Sequence, residues 1–169
     1  MGAWQPDVTD ARWPAYGPAM AYRSKLGALL ALFSLVACGD NQDDAGARAL
    51  LAQVRVDQYR TWERAPGFEQ RKSSNAPHGD AVDIYVNDVV AEVLALREHD
   101  GAWPEGSVIV KDGFSGSELE LTAIMQKRED GWYWAEYDAD GNPDYSGHPD
   151  ICIDCHRSGS DFVRAFRLP

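Results

Sequence analysis

Residues 107–137, SVIVKDGFSGSELELTAIMQKREDGWYWAEY, contain three predicted strands. The segments SVIVK, ELELTAIMQ and GWYWAEY are rich in β-branched and aromatic residues, and Gly- and Asp-rich turns separate them. In SVIVK, Val108 and Val110 are expected on one face of the strand. Ile109 and Lys111 are then expected on the opposite face. Strands that follow one another this closely favour an antiparallel sheet.

The sequence before these strands predicts two helices and another strand. AGARALLAQVRVDQYRTW (45–62) has apolar residues at helical spacing, namely Ala47, Leu50, Leu51 and Val54. AVDIYVN (81–87) alternates as a half-buried strand does, with Asp83 and Tyr85 on the polar face. Asn87 or Asp88 can cap a second helix that ends near Gly101. The predicted fold class is α+β, mainly an antiparallel β-sheet with flanking helices.

The N-terminal part predicts export and lipidation. After Met20, two basic residues precede an apolar run from Leu26 to Val36, which has the length of a secretory signal core. This run is too short for a membrane-spanning helix, which needs about 20 apolar residues. Leu35 to Cys38 resembles the lipobox of bacterial lipoproteins, although an ordinary signal peptide with a chance cysteine is the alternative.

These signals divide the chain into four predicted parts. Residues 1–19 are an over-extended start, 20–37 a lipoprotein signal peptide, 38–46 the acylated Cys38 with a polar tether, and 47–169 one folded domain. The acyl chains would anchor the domain to a membrane facing the periplasm. Because Gly39 rather than an aspartate follows Cys38, the outer membrane is expected.

The composition makes one class of partner unfavourable. The chain has 16 Lys plus Arg against 27 Asp plus Glu, a formal net charge of −11 at pH 7. Such a surface repels nucleic acid and anionic lipid headgroups. A small uncharged substrate would not be repelled.

The segment DICIDCHRSG (150–159) carries the clearest chemical motif. Zinc would need four ligands, so His148 and His156 would have to complete a site with Cys152 and Cys155. A redox disulfide would need the two cysteines alone and would not explain His156. Cys-x-x-Cys-His is the attachment signature of c-type haem, in which both thiols add to the porphyrin and the histidine binds iron. One covalent haem c is therefore the preferred interpretation.

The second axial position separates an electron carrier from an open iron. An electron carrier usually fills it with methionine or histidine. Met125 is expected to fill the core, and His78, His99 and His148 are expected to be solvated loop or helix-end residues. The sequence therefore favours an iron that binds small molecules.

Several segments together resemble the cytochrome P-460 family. They are YRTW (59–62), APHG (76–79), IYVN (84–87), WPEGSVIVKDGF (103–114), GWYWAEYD (131–138) and CIDCHRSGSDFVRAFRLP (152–169). The resemblance implies a mostly antiparallel domain with one c-type haem, commonly a homodimer. Some members oxidise hydroxylamine and need a redox partner cytochrome, whereas the related cytochromes c′-β bind nitric oxide at a five-coordinate iron.

The resemblance also implies a role for Lys111. In the oxidising members, a lysine at the matching position is bonded through its side-chain nitrogen to the porphyrin. An amine must lose its proton to act as a nucleophile, and burial lowers the pKa of a lysine. Without the resemblance, a solvated lysine at a strand end would be the simpler interpretation.

Two sets of residues are candidates to face a bound ligand. Oxidation needs a base near the substrate nitrogen, and the candidates are Glu118, Glu120 and Glu136. Phe114, Tyr133 and Trp134 could instead form an apolar cap that favours gas binding. The enzyme hypothesis is thus hydroxylamine oxidation, and the alternatives are a non-catalytic nitric oxide binder and a plain electron-transfer cytochrome.

Overall fold

An antiparallel sheet forms the centre of the computed structural model, which describes residues 42–96 and 101–169. Within these ranges the sheet has seven strands: β1 (Glu63–Arg64), β2 (Lys72–Ser73), β3 (Ala81–Val86), β4 (Val108–Ser115), β5 (Glu118–Arg128), β6 (Gly131–Asp138) and β7 (Pro143–Gly147). The order is β1-β3-β4-β5-β6-β7, and β2 pairs with β3 beside β1. The predicted fold class, α+β with a mainly antiparallel sheet, is confirmed.

Three helices accompany the sheet: α1 (Asp44–Val56), α2 (Asp88–Ala95) and α3 (Asp150–His156). Asp43 caps α1 through the Gly46 amide, so this helix begins before the predicted domain boundary at residue 47. Asn87 caps α2, as predicted. That helix ends at Ala95, well before Gly101, so the predicted end was wrong.

Several predicted features lie outside the described residues. These are the over-extended start (1–19), the signal peptide (20–37), Cys38 with the first tether residues (39–41), and His99. Among the residues that are described, no helix is both long and apolar enough to cross a membrane.

Each face of the sheet has its own core because side chains alternate along the strands. On the first face, Val108 and Val110 pack with Tyr133 and Tyr137 against α1. On the second face, Ile109, Trp132 and Trp134 pack with β3 residues, α2 and the C-terminal segment. The predicted alternation of β4 is confirmed.

Strand β3 departs from its predicted pattern. Val82, Ile84 and Val86 face the second core, as expected, but Asp83 and Tyr85 are also buried. Tyr85 joins the core beneath α1, and Asp83 accepts hydrogen bonds from Arg64 and Arg71. The strand is therefore buried on both faces, because the ion pairs with Arg64 and Arg71 allow the Asp83 carboxylate to be buried on the first face, beside Tyr85.

Candidate functional site

The Cys-x-x-Cys-His motif lies on helix α3, at one wall of a cavity. Cys152, Cys155 and His156 all line this cavity, so the fold brings the three predicted motif residues together. Both thiols are free rather than joined in a disulfide. Cys152 is half-buried, and its burial raises the pKa of the thiol to about 11. Cys155 is more exposed, and its Sγ lies 3.2 Å from Arg164 Nη1.

The imidazole of His156 is held in one orientation. Its Nδ1 lies 2.9 Å from the Phe162 carbonyl oxygen, which can only accept, so Nδ1 carries the proton. The Trp134 ring packs edge-on at 4.7 Å between ring centroids. Burial, above all, lowers the pKa of His156 to about 4, so the ring is neutral at pH 7. Nε2 then carries the lone pair that a metal ligand requires.

The cavity wall is mostly apolar. The cavity has a volume of about 240 Å³. Its apolar lining includes Ile84, Ile109, Ala123, Met125, Trp134 and Val163. A neighbouring cavity of about 550 Å³ shares Lys111, His78 and His156 with it. Two thiols and a neutral imidazole on one wall of an apolar space fit a flat macrocycle with a central metal. The donor set therefore fits haem.

Lys111 lines both cavities, on the face of β4 that the alternation predicts. It pairs with Ile84 on β3 and Ala123 on β5, so its strand is central in the sheet. Burial is the main cause that lowers the pKa of its amine, while the charge of Glu136 acts in the opposite direction. The predicted solvated alternative is therefore wrong, because the side chain enters the cavity.

His78 was predicted to be a solvated loop residue, and this prediction was wrong. Its side chain is only 17 % exposed, and its Nδ1 lies 2.6 Å from Glu136 Oε2. Two glycines bring its loop onto β4: a Cβ on Gly79 would lie 2.7 Å from the Phe114 amide nitrogen, and a Cβ on Gly113 would overlap the His78 carbonyl. The glycines in APHG and KDGF were the only local signals for this contact.

Glu136 alone of the three predicted bases lines the cavity. Glu118 and Glu120 are exposed on β5, so these two predictions were wrong. Of the three aromatic residues expected to cap the site, only one lines the cavity. Trp134 lines the cavity, whereas Tyr133 faces α1 and donates a hydrogen bond to Asp43. Phe114 packs under the Arg71 guanidinium instead.

The remaining predicted ligands are distributed differently. Met125 packs against the second core, as predicted, and also lines the cavity. His148 lies elsewhere, with Nε2 3.3 Å from Asp130 and a side chain 37 % exposed. Among residues 42–96 and 101–169, no group of three or more His, Cys, Asp or Glu side chains is arranged to hold a metal ion.

Comparison with known proteins agrees with this geometry. No curated protein matches the chain. The family model described as Cytochrome P460 matches residues 56–163, from the end of α1 to the segment after α3. The match includes most of the residues that line the cavities and the whole Cys-x-x-Cys-His motif. Since it covers more than half of the sequence, the chain belongs to the cytochrome P460 family, a family of haem-binding cytochromes.

Proposed function

We propose that the protein is an exported monohaem cytochrome that oxidises hydroxylamine. Cys152 and Cys155 would hold one haem c through thioether bonds, and His156 Nε2 would be the axial ligand. The support is their common position on the cavity wall and the fixed tautomer of His156. When bound, haem supplies an iron that binds the nitrogen of a small ligand and takes up electrons.

We further propose that Lys111 is bonded through Nζ to a carbon of the porphyrin. The nitrogen would replace a hydrogen on that carbon, and an external two-electron oxidant would take up the two electrons, with release of two protons. The Lys111 amine is buried in the same apolar cavity, and burial lowers its pKa, which increases the neutral, nucleophilic fraction. A bond to the ring would change the electronics of the macrocycle.

The observation that favours oxidation over binding alone is the hydrogen-bonded pair of Glu136 and His78. Hydroxylamine loses protons as it loses electrons, so its oxidation needs acceptors beside the bound nitrogen. Glu136 lines the cavity and lies 2.6 Å from His78, which also lines the neighbouring cavity. The carboxylate would take a proton from the substrate, and the imidazole would stabilise or relay it.

Glu136→Gln tests this proposal, with Glu120→Gln as its matched control. Glu120 is exposed on β5, so the same substitution leaves the cavity unchanged. Hydroxylamine-dependent reduction of an artificial electron acceptor is expected to fall about 10²–10⁴-fold in Glu136→Gln, the usual range for a lost general base. Glu120→Gln should match the wild type. Equal rates in all three proteins would exclude Glu136 as the base, and no turnover by the wild type would exclude the oxidase.

A non-catalytic nitric oxide binder is the second candidate, because the cavity walls are largely apolar. A plain electron-transfer cytochrome is the third, because Met125 lines the cavity and could supply a sixth ligand. A shifted, broadened absorption band of the ferrous protein supports the lysine cross-link. An ordinary high-spin c-type spectrum favours the gas binder, and an ordinary low-spin spectrum favours electron transfer.

We also propose that acylated Cys38 anchors the protein to the periplasmic side of the outer membrane, where a partner cytochrome takes the electrons. A homodimer is the expected assembly, and nucleic acid is not an expected partner. Full-length protein expressed in a Gram-negative host should sediment with membranes, and Cys38→Ser should become soluble or remain unprocessed. A wild type that is wholly soluble in the periplasm would contradict lipidation.

A further inference from the structure

The backbone just after the Cys-x-x-Cys-His motif forms a turn with an unfavourable sequence. Ser160 and Val163 pair through two backbone hydrogen bonds of 2.9 and 3.1 Å, with two residues between them. The two residues between them have positive φ, 43° at Asp161 and 68° at Phe162. Such turns favour Asn-Gly or Asp-Gly, and a bulky residue at positive φ is costly. Contacts outside the turn must therefore stabilise it.

Those contacts converge on Asp161. Its carboxylate accepts hydrogen bonds from Lys127 Nζ at 2.9 and 3.1 Å and from the Trp103 amide at 2.9 Å. Its backbone carbonyl accepts one from Trp132 Nε1 at 2.8 Å. The Asp161 side chain is only 13 % exposed, so water replaces these partners poorly. The turn is thus attached to β5, to β6 and to the loop before β4.

Gly159 is a second, independent sign that the turn is closely fitted. A Cβ at this position would lie 2.5 Å from the Val163 carbonyl carbon and 2.8 Å from the Phe162 carbonyl carbon. The Gly159 amide donates to the His156 carbonyl. The chain therefore folds back directly from α3 onto the turn, without room for a side chain.

The result of this arrangement is the position of one carbonyl group. The Phe162 carbonyl oxygen lies 2.9 Å from His156 Nδ1, and the Phe162 ring packs at 6.4 Å from Trp134, which also contacts His156. We propose that Asp161 is a positioning residue for His156: by binding Lys127 and the Trp103 amide, it holds the turn that aims the Phe162 carbonyl at the imidazole. This inference rests on the proposed role of His156 as the axial ligand.

The expected chemical consequence is a stronger donor at the metal. A carbonyl that accepts the Nδ1 proton fixes the ring and raises the basicity of Nε2. A looser turn should weaken this bond, and the imidazole should then donate less charge. In the haem-loaded protein, the ferrous iron–imidazole stretching frequency should fall and the midpoint potential should rise.

The test measures both quantities in Asp161→Asn, Asp161→Ala and Asp161→Gly. Asn keeps an acceptor for the Trp103 amide and tolerates positive φ, so its shift should be the smallest. Ala removes every side-chain contact, and Gly does so while relieving the backbone, so both should shift more. Asp144→Ala is the matched control, since Asp144 is exposed on β7. Its stretching frequency and potential should equal those of the wild type.

Lys127→Gln removes the ion pair from the other side and leaves Asp161 in place. It should lower the stretching frequency and raise the potential, as the Asp161 variants do. If Asp161→Ala does not fold, Lys127→Gln tests the positioning role in its place. Variants that lose stability while both quantities stay at wild-type values would reduce Asp161 to a structural role and overturn the inference.

His156→Ala separates this failure from failure of the proposed function. The iron–imidazole band should disappear in that variant. A band that persists would overturn the ligand assignment and, with it, the inference. A band that disappears in His156→Ala but is unchanged in all Asp161 and Lys127 variants would overturn the positioning role alone.

Discussion

The two faces of the central sheet differ in what their polar groups do. On the α1 face, buried polar groups are paired with one another: Asp112 accepts hydrogen bonds from the Tyr59 and Thr122 hydroxyls, and the Tyr137 hydroxyl donates to the Ala47 carbonyl. On the α3 face, Lys111 and Glu136 project into a cavity. Both faces use the same strands.

Adjacent residues of β4 make the difference clear. Asp112 is completely buried and bound by three donors, whereas Lys111 enters the cavity, where burial lowers its pKa. Since successive side chains of a strand point to opposite faces, a single dipeptide gives one face a buried, hydrogen-bonded carboxylate and the other face an amine that lines the cavity. Substitutions on the two faces should therefore affect different measurements.

The largest effect is expected from the combined change of Cys152→Ala and Cys155→Ala. Neither thioether bond can form, so no haem should remain after acid-acetone extraction, whereas the wild type should retain it. A domain of this size has a small core, and loss of a haem that would fill much of it should also impair folding. Spectroscopic haem content and zinc analysis measure the outcome. Extractable haem or stoichiometric zinc in the wild type would contradict the attachment.

Asp112→Ala should have the next largest effect, on the face beneath α1. It leaves the Tyr59 and Thr122 hydroxyls without their acceptor, and the half-exposed Arg60 loses its partner. We expect the free energy of unfolding to fall by about 2–4 kcal/mol, as for other buried polar groups that lose a partner. Urea denaturation measures this change. The absorption spectrum of the variant should be that of the wild type, and an altered spectrum would show that the two faces are not independent.

Lys111→Ala should have the smallest effect on stability and a clear effect on the spectrum. The loss of a buried amine removes its desolvation cost together with its packing. The free energy of unfolding should therefore change less than in Asp112→Ala. The ferrous band should return to an ordinary c-type position with unchanged haem content. Tryptic mass spectrometry of the wild type should find the Lys111 peptide joined through haem to the peptide containing Cys152 and Cys155. An unmodified Lys111 peptide in the wild type would disprove the cross-link. Arg48→Ala, which removes an exposed cation of α1 on the other side of the sheet, is the control.

Much of this architecture could be predicted from local patterns. The alternation in SVIVK placed Lys111 opposite Val110, and the spacing of Ala47, Leu50, Leu51 and Val54 identified the buried side of α1. These predictions succeeded because the periods of a strand and a helix are properties of the backbone itself. The two buried faces of β3 were missed, because the arginines that pair with Asp83 come from other segments.

The sequence by itself indicated the family, through segments spread over residues 59–169, and it indicated the strands of the sheet and the thiol and imidazole groups available for a haem. The strands and the Cys-x-x-Cys-His motif were readable because each depends on residues close together in the chain. Only the tertiary structure joined His78 to Glu136, which are 58 positions apart, and excluded Glu118 and Glu120. It also aimed the Phe162 carbonyl at His156 through a turn that Asp161 attaches to the sheet. Such contacts depend on where loops pack against strands, and local periodicity carries no information about that packing.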